Sequence, residues 1–213
     1  MSDTFCASAS MHTTDRDLVR TLQETTKVLE VVESGFSSRK VIVVGDLMLD
    51  RHVWGNVNRI SPEAPVPIVR FIRETQMAGG CGNVAMNLVG LGMSVSLIAL
   101  AGDDESGRLL ADLLQCSGVD VTGIVADSNR PTTTKMRVIG GHQQMLRLDS
   151  ESSAEPDQNL QAKLRDAVIA KLDSASAVIL SDYAKGVLTP WICQEVIAAC
   201  RDRSIPVLVN PKG

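Results

Sequence analysis

Three short stretches bring together side chains able to hold a polyhydroxylated, anionic small molecule. In the first, Asp46 and Asp50 stand just past a short apolar run, Lys40–Gly45. A carboxylate accepts hydrogen bonds from neighbouring hydroxyls, so an acid in that place suits a polyol. Asp50 is the favoured ligand; Asp46 either joins it or caps a turn. In the second, Ala78-Gly79-Gly80-Cys81-Gly82-Asn83 leads into an apolar helical pattern. Three glycines in four positions let backbone N–H groups approach a ligand, the helix start favours anions or polar oxygens, and Asn83 offers both donor and acceptor. The same glycines would equally serve a tight turn. In the third, Ser181-Asp182-Tyr183-Ala184-Lys185-Gly186 sets an acid, a phenol and a cation after another apolar run. Asp182 could hold a hydroxyl and Lys185 a phosphate, whereas Tyr183 reads as a solvated loop residue. Arg59, Lys135, Arg137 and Arg147 add cations of the kind a substrate phosphate needs, although charges on a half-exposed sheet would look the same.

Other chemistries find less support. Gly80-x-Gly82-x-x-Ala85, with Asp103 and Asp104 a little over twenty residues on, fits a dinucleotide fingerprint. That motif needs a strand running straight into the glycines. The polar run Arg73-Glu74-Thr75-Gln76 and the proline-flanked segment before it argue against one. His52 and His142 lack partners at metal-ligand spacing, no Ser-His-Asp or Cys-His set is recognisable, and no metal site is expected. There is no Walker A motif. The scattered methionines read as core filler.

Positioning these groups requires alternating strands and helices. Lys40–Gly45 (KVIVVG) reads as a buried parallel strand. Residues 52–72, with Pro62, Pro65 and Pro67, read as extended edge strands outside the main sheet. From Gly79 on, the pattern predicts helices near 81–91, 106–116, 157–172 and 189–203, and strands near 94–100, 120–125, 177–181 and 206–209. Residues 132–139 and 143–148 flank Gly140-Gly141 as a hairpin. Such β-α alternation implies a mostly parallel sheet covered by helices on both faces, with a minor sheet added. Upstream, residues 1–14 are expected to be disordered. Residues 15–33 carry Leu18, Leu22, Leu29 and Val32 on one helical stripe.

The chain has 213 residues, 44% apolar and 22% charged, and a formal net charge of −4, a balance that marks a globular domain. No basic stripe suggests nucleic acid, and no apolar run is long enough for a membrane span. Five scattered cysteines without a CxxC, and a start without a signal-peptide pattern, lead to an expected cytoplasmic setting.

The runs Val43–Val69 (VVGDLMLDRHVWGNVNRISPEAPVPIV), Ala78–Gly92, Pro131–Ile139, Gln143–Asp149, Ser181–Leu188 and Val207–Gly213 together resemble the ribokinase-like (PfkB-type) carbohydrate kinases. Within that family the heptose 7-phosphate kinases are nearest, through the RISPEAPVP run. The resemblance covers about residues 38–213. It implies an α/β fold with a mostly parallel sheet flanked by helices, a small β lid near 52–72 and 131–149, and an incomplete C-terminal end; residues 1–37 are an N-terminal tail and helix. It further implies that Asp50 binds sugar hydroxyls, that Gly79, Gly80 and Asn83 line the same pocket, and that Asp182 and Lys185 complete the sugar and phosphate site. Arg59 and Arg137 are the cations expected to meet the phosphate. ATP and Mg²⁺ are the implied cofactors, and a homodimer through the lid is the implied assembly. The implied reaction carries the γ-phosphate of ATP to heptose 7-phosphate, giving the 1,7-bisphosphate. The family's catalytic acid sits in a GAGD-like segment that is expected beyond Gly213, so no appreciable kinase activity is expected from this stretch alone. Asn210 stands where the heptose kinases usually have aspartate, and Cys81 and Gly82 replace small alanine-like residues. The alternatives are a non-catalytic sugar-phosphate-binding or dimerisation fragment and a nicotinamide-binding enzyme.

Overall fold

The computed structural model describes residues 25–30, 33 and 35–212. The chain divides into two units, Met1–Phe36 and Ser37–Gly213. In the first, residues 25–30 are helical. The disorder expected over 1–14, and most of the helix expected over 15–33, lie outside the described residues.

The second unit is built on a five-stranded parallel sheet of order β5-β4-β1-β8-β9. Its strands are β1 (Lys40–Gly45), β4 (Ser94–Gly102), β5 (Asp120–Asp127), β8 (Ala177–Ser181) and β9 (Val207–Asn210). β1 lies at the centre, and all of its residues but the first are buried. Val41 and Val43 enter one apolar cluster with helices α1 (Cys81–Gly90) and α2 (Glu105–Cys116). Ile42 and Val44 enter the other, with α3 (Gln158–Leu172) and α4 (Pro190–Asp202). A strand covered on both faces must be apolar at every position, which is why KVIVVG lacks alternation.

The helices follow from spacing and caps. In α3, Leu160, Leu164, Val168 and Leu172 repeat every four residues and are buried. Burying each contributes about 1.5–3 kcal/mol. Asp157 caps its start by accepting from the Leu160 N–H at 2.8 Å. Thr189 caps α4 in the same way through the Ile192 N–H, with Pro190 in the first turn.

A second, four-stranded sheet of order β3-β2-β6-β7 takes in the segments expected to form the lid. It consists of β2 (Leu47–Ile60), β3 (Pro67–Gly80), β6 (Thr134–Gly140) and β7 (Gln143–Ser150). β2 pairs antiparallel with β3 and parallel with β6, and β6 pairs antiparallel with β7. The segment read as edge strands over 52–72 is thus the outer part of a longer hairpin. The polar run Arg73–Gln76, which the sequence reading treats as a break, is strand. Both faces are polar there, so no alternation shows, and cross-strand contacts hold it instead. Arg51 makes a two-pronged ion pair with Glu74, Gln76 donates to Glu74, and Arg73 lies over the Trp54 ring.

Candidate functional site

Asp46 is the only residue between β1 and β2, and its side chain is fully buried. Its Oδ2 accepts from the backbone N–H groups of Tyr183 at 2.7 Å and Lys185 at 3.0 Å, and its Oδ1 accepts from the Val187 N–H at 3.1 Å. The backbone N–H of Asp46 donates to the Ser181 carbonyl, and its own carbonyl accepts from the Cys81 N–H. The open question of Asp46 is thereby resolved: its carboxylate is spent on the 183–187 loop. Gly80 is required beside it, because φ is +59° and an added Cβ would run into the Asp46 carbonyl oxygen.

Register assembles the charged groups. Asp50 on β2, Lys135 on β6 and Asp149 on β7 stand in one row across the lid; His52, Arg137 and Arg147 form the next row on the same face. With strands about 4.8 Å apart and residues about 3.3 Å apart along them, this grid is about 10 Å by 7 Å, the size of a sugar phosphate. It carries three cations against two carboxylates. Arg137 Nη1 donates to Asp50 Oδ1 at 2.5 Å, and Arg147 makes a two-pronged pair with Asp149. Gly79 belongs to the same face, and a Cβ there would strike Asp50 Oδ2.

The 182–187 loop meets the base of this face. Lys185 Nζ pairs with Glu151 Oε2 at 2.7 Å, one residue past β7. Asp182 accepts the Ala184 N–H at 2.8 Å and donates its own N–H to the Asn210 carbonyl. Asn83 is exposed in the first turn of α1. Arg59 is not brought to this group. It lies nine residues beyond Asp50 on β2, about 30 Å along an extended strand, in a pocket with Asn56, Asn58 and Arg70. Nothing in the sequence patterns assigns Asp149 or Glu151 a role. The i, i+2 spacing of Arg147 and Asp149 on a hairpin arm could have flagged the first; nothing local flags the second.

The case against a dinucleotide site needs new ground, because β3 does run directly into Gly79-Gly80 and α1. What excludes the motif is topology: β3 belongs to the lid and β4 to the main sheet, so no parallel βαβ unit surrounds the glycines. Asp104 is also committed elsewhere. It caps α2 through the Gly107 N–H and accepts from both the N–H and the hydroxyl of Thr132. Although burial favours the neutral acid, these bonds outweigh it and hold the carboxyl below its usual range. A groove of about 610 Å³ lies between the first turns of α3 and α4 and is lined by Gln158, Gln161, Arg165 and Trp191. It contains none of the sequence candidates, and the convergent charges of the lid outrank its size as a guide to chemistry. Among the described residues, no three His, Cys, Asp or Glu side chains converge to hold a metal ion.

The profile of the pfkB family carbohydrate kinases matches residues 38–213. The chain belongs to that family. Among curated relatives, the bifunctional protein HldE of Magnetococcus marinus is 48% identical over 189 residues, which cover 87% of this chain and 39% of that protein. The chain therefore spans well under half the length of such relatives. Among solved structures, the tetrameric inhibited form of phosphofructokinase-2 from Escherichia coli superposes with a TM-score of 0.63 at 21% identity, covering 82% of this chain and 55% of that one. Arabidopsis thaliana ribokinase complexed with ribose and ATP gives 0.58 at 19% identity, covering 80% and 53%. These likenesses show the ribokinase-like fold, with its mostly parallel sheet flanked by helices. Among the described residues, no helix of this pfkB-family chain is long and apolar enough to cross a membrane.

Proposed function

We propose that this chain carries the sugar-phosphate-binding part of an ATP-dependent kinase whose substrate is heptose 7-phosphate and whose product is the 1,7-bisphosphate. The observation that carries the reading is the charged face of the lid beside Gly79-Gly80, where Asp50, Lys135, Asp149, Arg137 and Arg147 share one side of the sheet. Asp50 accepts sugar hydroxyls, oriented by Arg137. Gly79 keeps the space beside its carboxylate open. Asn83 and Asp182 offer further polar contacts, and Lys135, Arg137, Arg147 and Lys185 compensate the phosphate. ATP, brought by Mg²⁺, would supply the phosphoryl group; the structure of ribokinase with ribose and ATP supports that choice of donor. The opposite face of the lid exposes Phe71, Leu146 and Leu148, at 62%, 57% and 59%, which supports a homodimer through the lid. We place the protein in the cytoplasm, where sugar phosphates and ATP are available.

No Gly-Ala-Gly-Asp segment occurs in residues 1–213, so the proton acceptor is not supplied by this stretch. The experiment pairs calorimetric titration of heptose 7-phosphate with an ATP-dependent phosphorylation assay on the same chain. Binding without turnover is expected, and Asp50→Asn should weaken binding at least tenfold, in line with a lost charged hydrogen bond. Absence of binding, or binding indifferent to Asp50, refutes the substrate. Turnover refutes the account of the missing base.

A further inference from the structure

We propose that Glu151 sets the specificity of this site: its carboxylate occupies the Lys185 ammonium until an anionic group of the ligand displaces it, so that phosphorylated sugars are admitted over neutral ones. The proposal rests on the sugar-phosphate reading above and adds to it a residue that reading does not use.

Lys185 Nζ and Glu151 Oε2 are 2.7 Å apart, with the side chains 15% and 31% exposed. Both partners sit on braced backbone, so their meeting is not that of two loose surface chains. On one side, the N–H groups of Tyr183, Lys185 and Val187 are held by the buried Asp46, and Asp182 closes the turn at Ala184. On the other, Arg130 pairs with Asp127 in a nearly solvent-free contact and also donates to the Ala154 carbonyl, which fixes the linker after Glu151. Gly186, at φ +86°, leaves no room for a side chain beside the Ser153 and Ala154 carbonyls, so loop and linker lie close together there. Glu151 follows β7 by one residue and stands two beyond Asp149, which shares a face with Arg147 and, through the Lys135 row, with Asp50.

Three cations of this region thus each carry one carboxylate of the chain: Arg137 with Asp50, Arg147 with Asp149 and Lys185 with Glu151. A neutral sugar has nothing to offer Lys185 in exchange for Glu151. A phosphate monoester does, because it brings nearly two negative charges and three acceptor oxygens where the carboxylate brings one charge and two. Since a partly exposed pair is weak, the exchange costs little, and removing the competitor should tighten phosphate binding about three- to fivefold.

The test is calorimetric titration of wild type, Glu151→Gln, Glu151→Asp, Lys185→Gln and the Glu151→Gln/Lys185→Gln double variant. The ligands are heptose 7-phosphate, unphosphorylated heptose and inorganic phosphate. Glu151→Gln is expected to bind heptose 7-phosphate and inorganic phosphate about three- to fivefold more tightly, leaving heptose unchanged. Glu151→Asp, which keeps the charge but withdraws it, should fall between and serves if the glutamine variant does not fold. In the Lys185→Gln background, Glu151→Gln should have no effect. Unchanged or weakened phosphate binding, or an equal gain for neutral heptose, overturns the proposal; so does a gain that persists without Lys185. The underlying reading is judged separately, by whether wild type prefers heptose 7-phosphate to heptose. The inorganic phosphate ratio judges Glu151 whatever that preference is.

Discussion

Replacing Asp46 by asparagine tests the frame that holds the site together. Asp46 is fully buried, makes no ion pair among the described residues and accepts three backbone N–H groups at 2.7, 3.0 and 3.1 Å. Two effects oppose each other. Burying a carboxylate costs several kcal/mol, so neutralising it could stabilise the fold. Against that, each hydrogen bond to a charged acceptor contributes about 1.5–3 kcal/mol, and asparagine sets an NH₂ group against at least one N–H that now has no acceptor. The donors belong to a loop that Asp182 braces by accepting the Ala184 N–H, so they have little freedom to turn away. The hydrogen bonds should therefore win, and we expect Asp46→Asn to destabilise by about 2–4 kcal/mol. For a chain of this size that lowers Tm by roughly 4–16 °C. Thermal and urea unfolding followed by circular dichroism measure the loss, and hydrogen exchange at Tyr183, Lys185 and Val187 should accelerate before global unfolding. A Tm change within about 2 °C, or a gain, would refute the reasoning and show that desolvation dominates.

Gly80→Ala should destabilise by at least about 2 kcal/mol, since it adds left-handed strain to the collision with the Asp46 carbonyl; chemical denaturation measures it. Gly79→Ala should act mainly on the site. Its Cβ must push the Asp50 carboxylate aside, so heptose 7-phosphate binding should fall at least tenfold while Tm moves little. At the other end of the sheet, Asp120 accepts from Lys171, Ser96 and Thr122. Burial raises its pKa, but those bonds outweigh burial and hold the carboxyl far below the usual range. A depressed folded pKa gives stability that is fully present above the unfolded value, about 3.9, and is lost as pH falls toward the folded one. Wild type should lose stability on acidification below about pH 4, and Asp120→Asn should show a shallower loss in urea titrations over that window.

Much of this architecture is legible in the residues because it depends on local patterns. The runs at β1, β4 and β8 are apolar without alternation, as buried parallel strands must be, and the helices carry four-residue spacing and capping residues. The Gly140-Gly141 pair marks the β6–β7 turn, where Gly141 takes φ +63°. Other features escape because their causes are long-range. The partners of Asp46 lie 137 to 141 residues away, and the Lys185–Glu151 pair joins the root of one sheet to the rim of another. The strand character of Arg73–Gln76 comes from an ion pair and a cation–π contact, neither of which leaves a hydrophobic period. Arg59 has the right charge for a phosphate, but only the continuous run of β2 reveals how far from Asp50 it falls.

The position of Asp46 also limits how the lid can move. Its N–H is tied to the main sheet at Ser181, its carbonyl to the start of α1 at Cys81, and its carboxylate to the 183–187 loop. Three structures that would otherwise be independent are fixed to one residue, and Leu47, Met48 and Leu49, which follow it, are buried. Any hinge must therefore lie further out on β2. Asp50, four residues on and about 13 Å along the strand, stands close to this anchored point, whereas Arg147 lies on the edge strand β7. Under the proposed reading, the sugar hydroxyls meet the anchored part of the sheet and the phosphate meets the outer part. On the same reading, Asp149 and Glu151 keep Arg147 and Lys185 compensated before the ligand arrives, whereas Asp50, paired with Arg137, stays in place to accept sugar hydroxyls.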